Sequence, residues 1–230
     1  MELVDKVVVI TGASRGFGLA LAKLFRQEHC RVIISSNDRT ELERAAGDLG
    51  LDYFVADVAA PEQLNDLGRY VADKYGVVDI WINNAGIQIA PSLTEVVDTN
   101  KLKQLFAVNF FGYFYGCQTA LRLMKKQGRG LIININSTAG LGGKADLSAY
   151  VSSKFAVRGL TETIRQEIAG TAINIYSVHP GGMQTDIYQE QYPADFKEYM
   201  SVDKVAALVI TNLKSAAPEA DLVIRRPVAQ

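Results

Sequence analysis

Val7-Val8-Val9-Ile10-Thr11-Gly12-Ala13-Ser14-Arg15-Gly16-Phe17-Gly18 decides the fold of this chain. A continuous β-branched run suits a strand buried on both faces, as parallel sheets require. The glycines follow at once in the spacing G-x-x-x-G-x-G, and a helical pattern then runs to Gln27. Small residues at a strand-to-helix turn let the backbone close on an anion at a positive helix N-terminus. The spacing departs from the G-x-G-x-x-G dinucleotide fingerprint but shares its physics. Its place at the first strand–helix junction makes it a phosphate-site candidate and not merely a turn.

The same alternation continues outward. Strands are expected at Lys6–Thr11, Arg31–Ser35, Asp52–Ala56, Val78–Ile82, Leu131–Asn136, Ile173–Val178 and Leu222–Ile224. Helices are expected at Gly18–Gln27, Thr40–Leu49, Pro61–Tyr75, Lys101–Gln127, Ser148–Ala169 and Val202–Ser215, with Pro61 in a first turn and Ser201 as a cap. Such alternation predicts an α/β fold, a doubly wound parallel sheet of about seven strands with helices on both faces. Without a repeat or a Pro/Gly-rich linker, residues 1–230 are expected to form one domain.

Bulk properties exclude several classes. The net charge of −1 leaves no basic footprint for nucleic acid. Cys30 and Cys117 have no metal-ligand spacing, and His29 and His179 lack ligand partners, so no metal site is expected. The N-terminus runs directly into the first strand without a signal-peptide layout, and no apolar run reaches membrane-spanning length. A soluble cytoplasmic protein is the expectation.

Tyr150-Val-Ser-Ser-Lys154 places a phenol and an ammonium on one helix face, with Ser137 thirteen residues upstream. A nearby cation favours phenolate and lowers a tyrosine pKa, which makes Tyr150 a candidate general acid or base. Asn109 is polar in an otherwise apolar helix and needs a buried partner. At the end of the second strand, Ser36 and Asn37 stand where an NAD-selective site would place a carboxylate, and Arg15 is available to a 2′-phosphate. Asp38 lies close by, but its spacing to Glu41 reads as a helix N-cap, which favours NADP over NAD. Asp57 follows the third strand, where its carboxylate can accept from adenine N6, and Asn83-Asn84-Ala85-Gly86 follows the fourth.

Together these residues resemble the short-chain dehydrogenase/reductase family, in its compact single-domain, Rossmann-type branch. The resemblance covers nearly the whole chain: Thr11–Gly18, Asp57, Asn83–Gly86, Asn109, Ser137, Tyr150, Lys154 and Pro180-Gly181 occur in order. It implies that Tyr150 exchanges the substrate proton, Ser137 holds the reacting oxygen, Lys154 contacts the nicotinamide ribose, and Asn109 holds a relay water. It further implies that NADP(H), or alternatively NAD(H), is bound by Gly12, Ser14, Arg15, Gly16, Phe17 and Gly18. Ser36, Asn37, Asp57, Val58, Asn84, Ala85 and Gly86 continue that surface, and Tyr150, Lys154, Pro180, Gly181 and Thr185 complete it. The activity implied is interconversion of a carbonyl and an alcohol on a small molecule. The alternatives are an NAD-dependent alcohol or sugar-alcohol dehydrogenase, or a cofactor sensor without turnover.

Two segments set further expectations. Phe106, Phe110, Phe111, Phe114 and Tyr115 leave the 101–127 helix little polar face, which predicts burial on both sides. A homodimer or homotetramer through the 101–127 and 148–169 helices is expected. Ile187, Tyr188, Tyr192, Phe196 and Tyr199 predict either a flap over an apolar substrate or an anchor on the sheet. His179 is expected to contribute its backbone, Arg225-Arg226 to be a solvated or interface pair, and Lys125, Lys126 and Arg129 to be a solvated helix end.

Overall fold

In a computed structural model, residues 1–188 and 190–226 are described. Seven parallel strands form one sheet in the order β3-β2-β1-β4-β5-β6-β7. They are β1 Val7–Thr11, β2 Arg31–Ser36, β3 Asp52–Val55, β4 Ile80–Asn83, β5 Arg129–Ile135, β6 Ala172–Pro180 and β7 Asp221–Ile224. Val8 and Ile10 of β1 join one apolar layer and Val7 and Val9 the other, so both faces are covered. Helices α1 Gly16–Gln27, α2 Arg39–Leu49 and α7 Val202–Lys214 supply the first layer. Helices α3 Pro61–Tyr75, α5 Gly112–Gln127 and α6 Ser148–Glu167 supply the second. Strand order reverses between β1 and β4, and a ligand crevice opens beyond the carboxyl ends there.

Three expectations need correction. The helix expected over 101–127 is broken into α4 Thr99–Phe106, a π turn at Ala107–Phe111, and α5. The widened turn admits the Asn109 side chain, which donates to the Ile87 carbonyl and accepts the Ile87 N–H, both at 2.8 Å. The fourth strand begins at Ile80, not at Val78: Gln127 takes both main-chain groups of Val78 through its side-chain amide. Ser201 occupies the N-cap position of α7 but its side chain makes no capping bond. The Asp38 cap holds, accepting the Glu41 N–H at 3.0 Å, and Pro61 opens α3.

The aromatic stripe is not covered on both sides. Tyr113 is buried, but Phe111, Phe114 and Phe155 are 46%, 41% and 43% exposed. Lys125 and Lys126 are exposed at the end of α5, as the sequence indicated, whereas Arg129, also exposed, opens β5; both cysteines are buried. No described helix is long and apolar enough to cross a membrane, and no described cluster of His, Cys, Asp and Glu could hold a metal.

Candidate active site

One cleft of about 580 Å³ runs along the carboxyl ends of the strands and gathers nearly every residue singled out in the sequence. Its floor at β1 is the glycine turn. Gly12 has φ +63°, and a Cβ there would stand 2.5 Å from the Ala85 Cα, so a side chain would collide with the neighbouring backbone. Asn84 ties that neighbour down, donating from Nδ2 to the carbonyls of Thr11 and Gly12, both at 2.9 Å. Helix α1 starts at Gly16 with no side-chain cap and no acidic residue in its first turn. Its leading N–H groups are thus available to an anion, as a bound pyrophosphate requires.

At the end of β2, Ser14 Oγ donates to Ser36 Oγ at 3.2 Å, and Ser36 Oγ accepts the Asp38 N–H at 3.2 Å. Asp38 caps α2 through one carboxylate oxygen and also lines the cleft. Arg15, the candidate cation for a 2′-phosphate, lies 3.0 Å from Glu41, an acidic partner that the sequence reading assigned only to the capping box. Asn37, Asp57, Val58 and Gly86 line the adjoining wall; Asp57 accepts the Ala59 N–H at 2.9 Å. Phe17, Gly18, Pro180, Gly181 and Thr185 also line the cleft, with the Thr185 methyl beside Gly16.

The candidate catalytic residues converge from the end of β5 and from α6. Ser137 lies two residues beyond β5, and its Oγ accepts the Ala139 N–H at 3.1 Å, which leaves the hydroxyl hydrogen to be donated to Tyr150 or to a ligand. Lys154 is 3% exposed and donates to the Ile135 carbonyl at 3.2 Å, with its Nζ 5.7 Å from the Tyr150 ring centre. Burial pushes the Lys154 ammonium down to about 7. It pushes the Tyr150 phenol up to about 12, partly opposed by a hydrogen bond with Ser137. The depressed tyrosine pKa expected from the Tyr150/Lys154 spacing is therefore reversed in the free protein, where desolvation is the largest cause and the Ser137 hydrogen bond opposes it. Asn109 is fully buried behind them, bonded to Ile87 and donating to Ser153 Oγ at 3.4 Å.

The substrate end is walled by the segment after Thr185. Tyr188, Tyr192, Phe196 and Tyr199 form a cluster with ring centres 4.8–5.9 Å apart, so the segment carries its own small core. Tyr199 lies flat against Gly182, where a Cβ would approach the ring to 2.5 Å. Its base is closed by Gln184 N donating to Met200 O at 2.9 Å and Met200 N to Gly182 O at 3.0 Å. Arg226, partly exposed, pairs with Asp195 at 2.6 Å and lies over the Tyr199 ring. Nothing in the sequence linked these two residues, because the pair spans β7 and the flap.

A protein-family model described as short chain dehydrogenase matches residues 6–195, and the chain belongs to that family. It is an oxidoreductase using a nicotinamide cofactor on carbonyl and alcohol groups, an NAD(P)-dependent dehydrogenase. It is 33% identical over 195 residues to D-beta-hydroxybutyrate dehydrogenase of Rhizobium meliloti (strain 1021), covering 82% of this chain and 75% of that protein. An alcohol dehydrogenase from the archaeon Thermococcus sibiricus, complexed with 5-hydroxy-NADP, superposes with TM-score 0.88 at 26% identity, covering 98% of each chain. The 3-ketoacyl-(acyl-carrier-protein) reductase from Brucella melitensis, complexed with NADH, gives TM-score 0.90 at 25% identity over 97% of this chain and 98% of that one.

Proposed function

We propose that this protein reduces an uncharged, largely apolar ketone or aldehyde with NADPH, with Tyr150 as the proton donor. The observation that carries the reading is the convergence of Tyr150, Ser137 and Lys154 on the cleft that the glycine turn opens. When bound, the nicotinamide supplies the hydride. Ser137 donates its free hydroxyl hydrogen to the substrate oxygen and stabilises charge developing there. Tyr150, a protonated phenol at neutral pH whose pKa burial raises further, to about 12, delivers the proton to that oxygen. A phenol held in the acid form supports the reducing direction. Lys154 and Asn109 lie on the inner side, where they position the phenol and a proton-relay water.

Arg15, Ser14, Ser36 and Asn37 form the proposed 2′-phosphate subsite. The alternative, preference for NAD, draws support from Glu41, which already holds Arg15. The substrate preference follows from the segment after Thr185: aromatic rings dominate it, and among the described residues Lys144 is the only cation lining that end besides Lys154, with Asp146 and Asp186 also on the wall. A carboxylate substrate would need a fixed cationic clamp. The exposed Phe111, Phe114 and Phe155 support a homodimer or homotetramer through α4–α5 and α6 in a cytoplasmic enzyme.

A panel of ketones, aldehydes and hydroxysteroids, followed by NADPH and NADH absorbance, tests the reading. Tyr150→Phe is expected to lose at least about a hundredfold in turnover while binding cofactor within a few-fold of the parent. Near-normal turnover in that variant removes Tyr150 from the chemistry. Cofactor binding without turnover of any carbonyl would instead make the protein a sensor.

A further inference from the structure

The sequence left His179 with only a backbone role. The structure gives its imidazole one. His179 is 2% exposed near the end of β6, and its Nδ1 lies 3.3 Å from the main-chain carbonyl oxygen of Ser137. We infer that His179 is a positioning residue for Ser137: its Nδ1–H, donated to that carbonyl, fixes the turn that presents the Ser137 hydroxyl to substrate. The inference rests on the role proposed above for Ser137.

The geometry around Ser137 shows why a second donor matters. The Ser137 carbonyl accepts the Gly140 N–H at 2.9 Å, a bond internal to the short turn. That bond holds the turn's shape but not its position relative to neighbouring strands. The Asn136 N–H, donated to the Val178 carbonyl at 2.8 Å, ties the preceding residue to β6, and the imidazole adds a second link from β6 at Ser137 itself. A carbonyl oxygen only accepts, so the hydrogen must sit on Nδ1.

His179 Nε2 stands 3.8 Å from Asp221 on β7, too far for a hydrogen bond. Both Asp221 oxygens are already taken by Arg165, at 3.0 and 3.1 Å. Arg165 belongs to α6, the helix that also carries Tyr150 and Lys154. The direct link to Ser137 is therefore the His179 Nδ1 contact alone; the Asp221–Arg165 pair stands beside the ring without bonding to it. Burial lowers the His179 pKa, in keeping with a neutral ring at pH 7.

Two readouts test this. The first replaces the ring by amides of different reach: the side-chain nitrogen of His179→Asn falls near Nδ1, whereas that of His179→Gln falls near Nε2. His179→Asn is expected to keep kcat within about threefold, and His179→Gln and His179→Leu to lose about tenfold to a hundredfold. NADPH affinity should stay within about twofold in all three. Equal losses in His179→Asn and His179→Gln, tracking their unfolding midpoints, would overturn the proposal and leave His179 as packing. The second readout is the 15N tautomer of the wild-type imidazole by NMR, simplified because the chain has only 2 histidines. An Nδ1–H tautomer supports the bond to Ser137; an Nε2–H tautomer refutes it. If the wild type turns over no carbonyl, the proposed reduction fails and the tautomer alone decides the contact.

Discussion

Replacing Lys154 by methionine should stabilise the free protein at acid pH while abolishing turnover. The ammonium is 3% exposed and has the Ile135 carbonyl as its hydrogen-bond acceptor. A fall from 10.5 to about 7 costs the charged form roughly 5 kcal/mol, at about 1.4 kcal/mol per tenfold step. Below pH 7 both folded and unfolded chains carry this proton, and the folded state bears the whole penalty. Between pH 7 and 10.5 the folded state has lost the proton and the unfolded chain still binds it, so stability rises with pH. Lys154→Met removes that dependence and keeps an apolar stem of similar length. Urea unfolding of both proteins at pH 6 and pH 9, without cofactor, provides the assay. The stability difference is expected to shift toward the wild type by up to about 3 kcal/mol between those conditions. A difference independent of pH would refute the argument that an unpaired ammonium is buried at Lys154.

Three further outcomes follow from the cleft and the surface. Glu41→Gln frees Arg15 from its 3.0 Å partner and should tighten NADPH about threefold to tenfold with NADH unchanged, measured by fluorescence titration. Gly182→Ala forces the Tyr199 ring off its seat and should lower kcat/KM by about tenfold or more, with cofactor affinity preserved, in steady-state kinetics. Phe114→Glu, on the half-exposed aromatic stripe, should reduce the mass found by light scattering to that of a monomer; an unchanged mass would place any interface elsewhere.

Much of the architecture was legible because it rests on local periodicity. Every expected strand is present, every expected helix but the one over 101–127 is continuous, and the strand–helix alternation alone implied a parallel sheet. The errors fall where a side chain competes with the main chain. Gln127 removes Val78 from the β4 edge, and Asn109 is accommodated by the π turn between α4 and α5. Periodicity registers neither, since both depend on contacts across 22 residues or more. The cleft residues were found because their order along the chain carries the pattern. Their protonation was not: the Tyr150/Lys154 spacing suggested a cation lowering a phenol pKa, and only the folded surroundings reveal that burial dominates both groups. The Arg15–Glu41 and Arg226–Asp195 pairs and the His179 contact likewise join separate elements.

The flap begins and ends at nearly the same point in space, because the main-chain bonds between Gly182, Gln184 and Met200 bring its two stems together. Its aromatic rings pack mainly on one another, and Arg226 clips it from outside. A loop with joined ends is a cassette. It can be exchanged for one of different length or chemistry with little disturbance to β6 or α7, so substrate range can diverge while the hydride and proton machinery stays in place. Grafting the equivalent segment from a relative with a known substrate is thus a practical route to retargeting this scaffold.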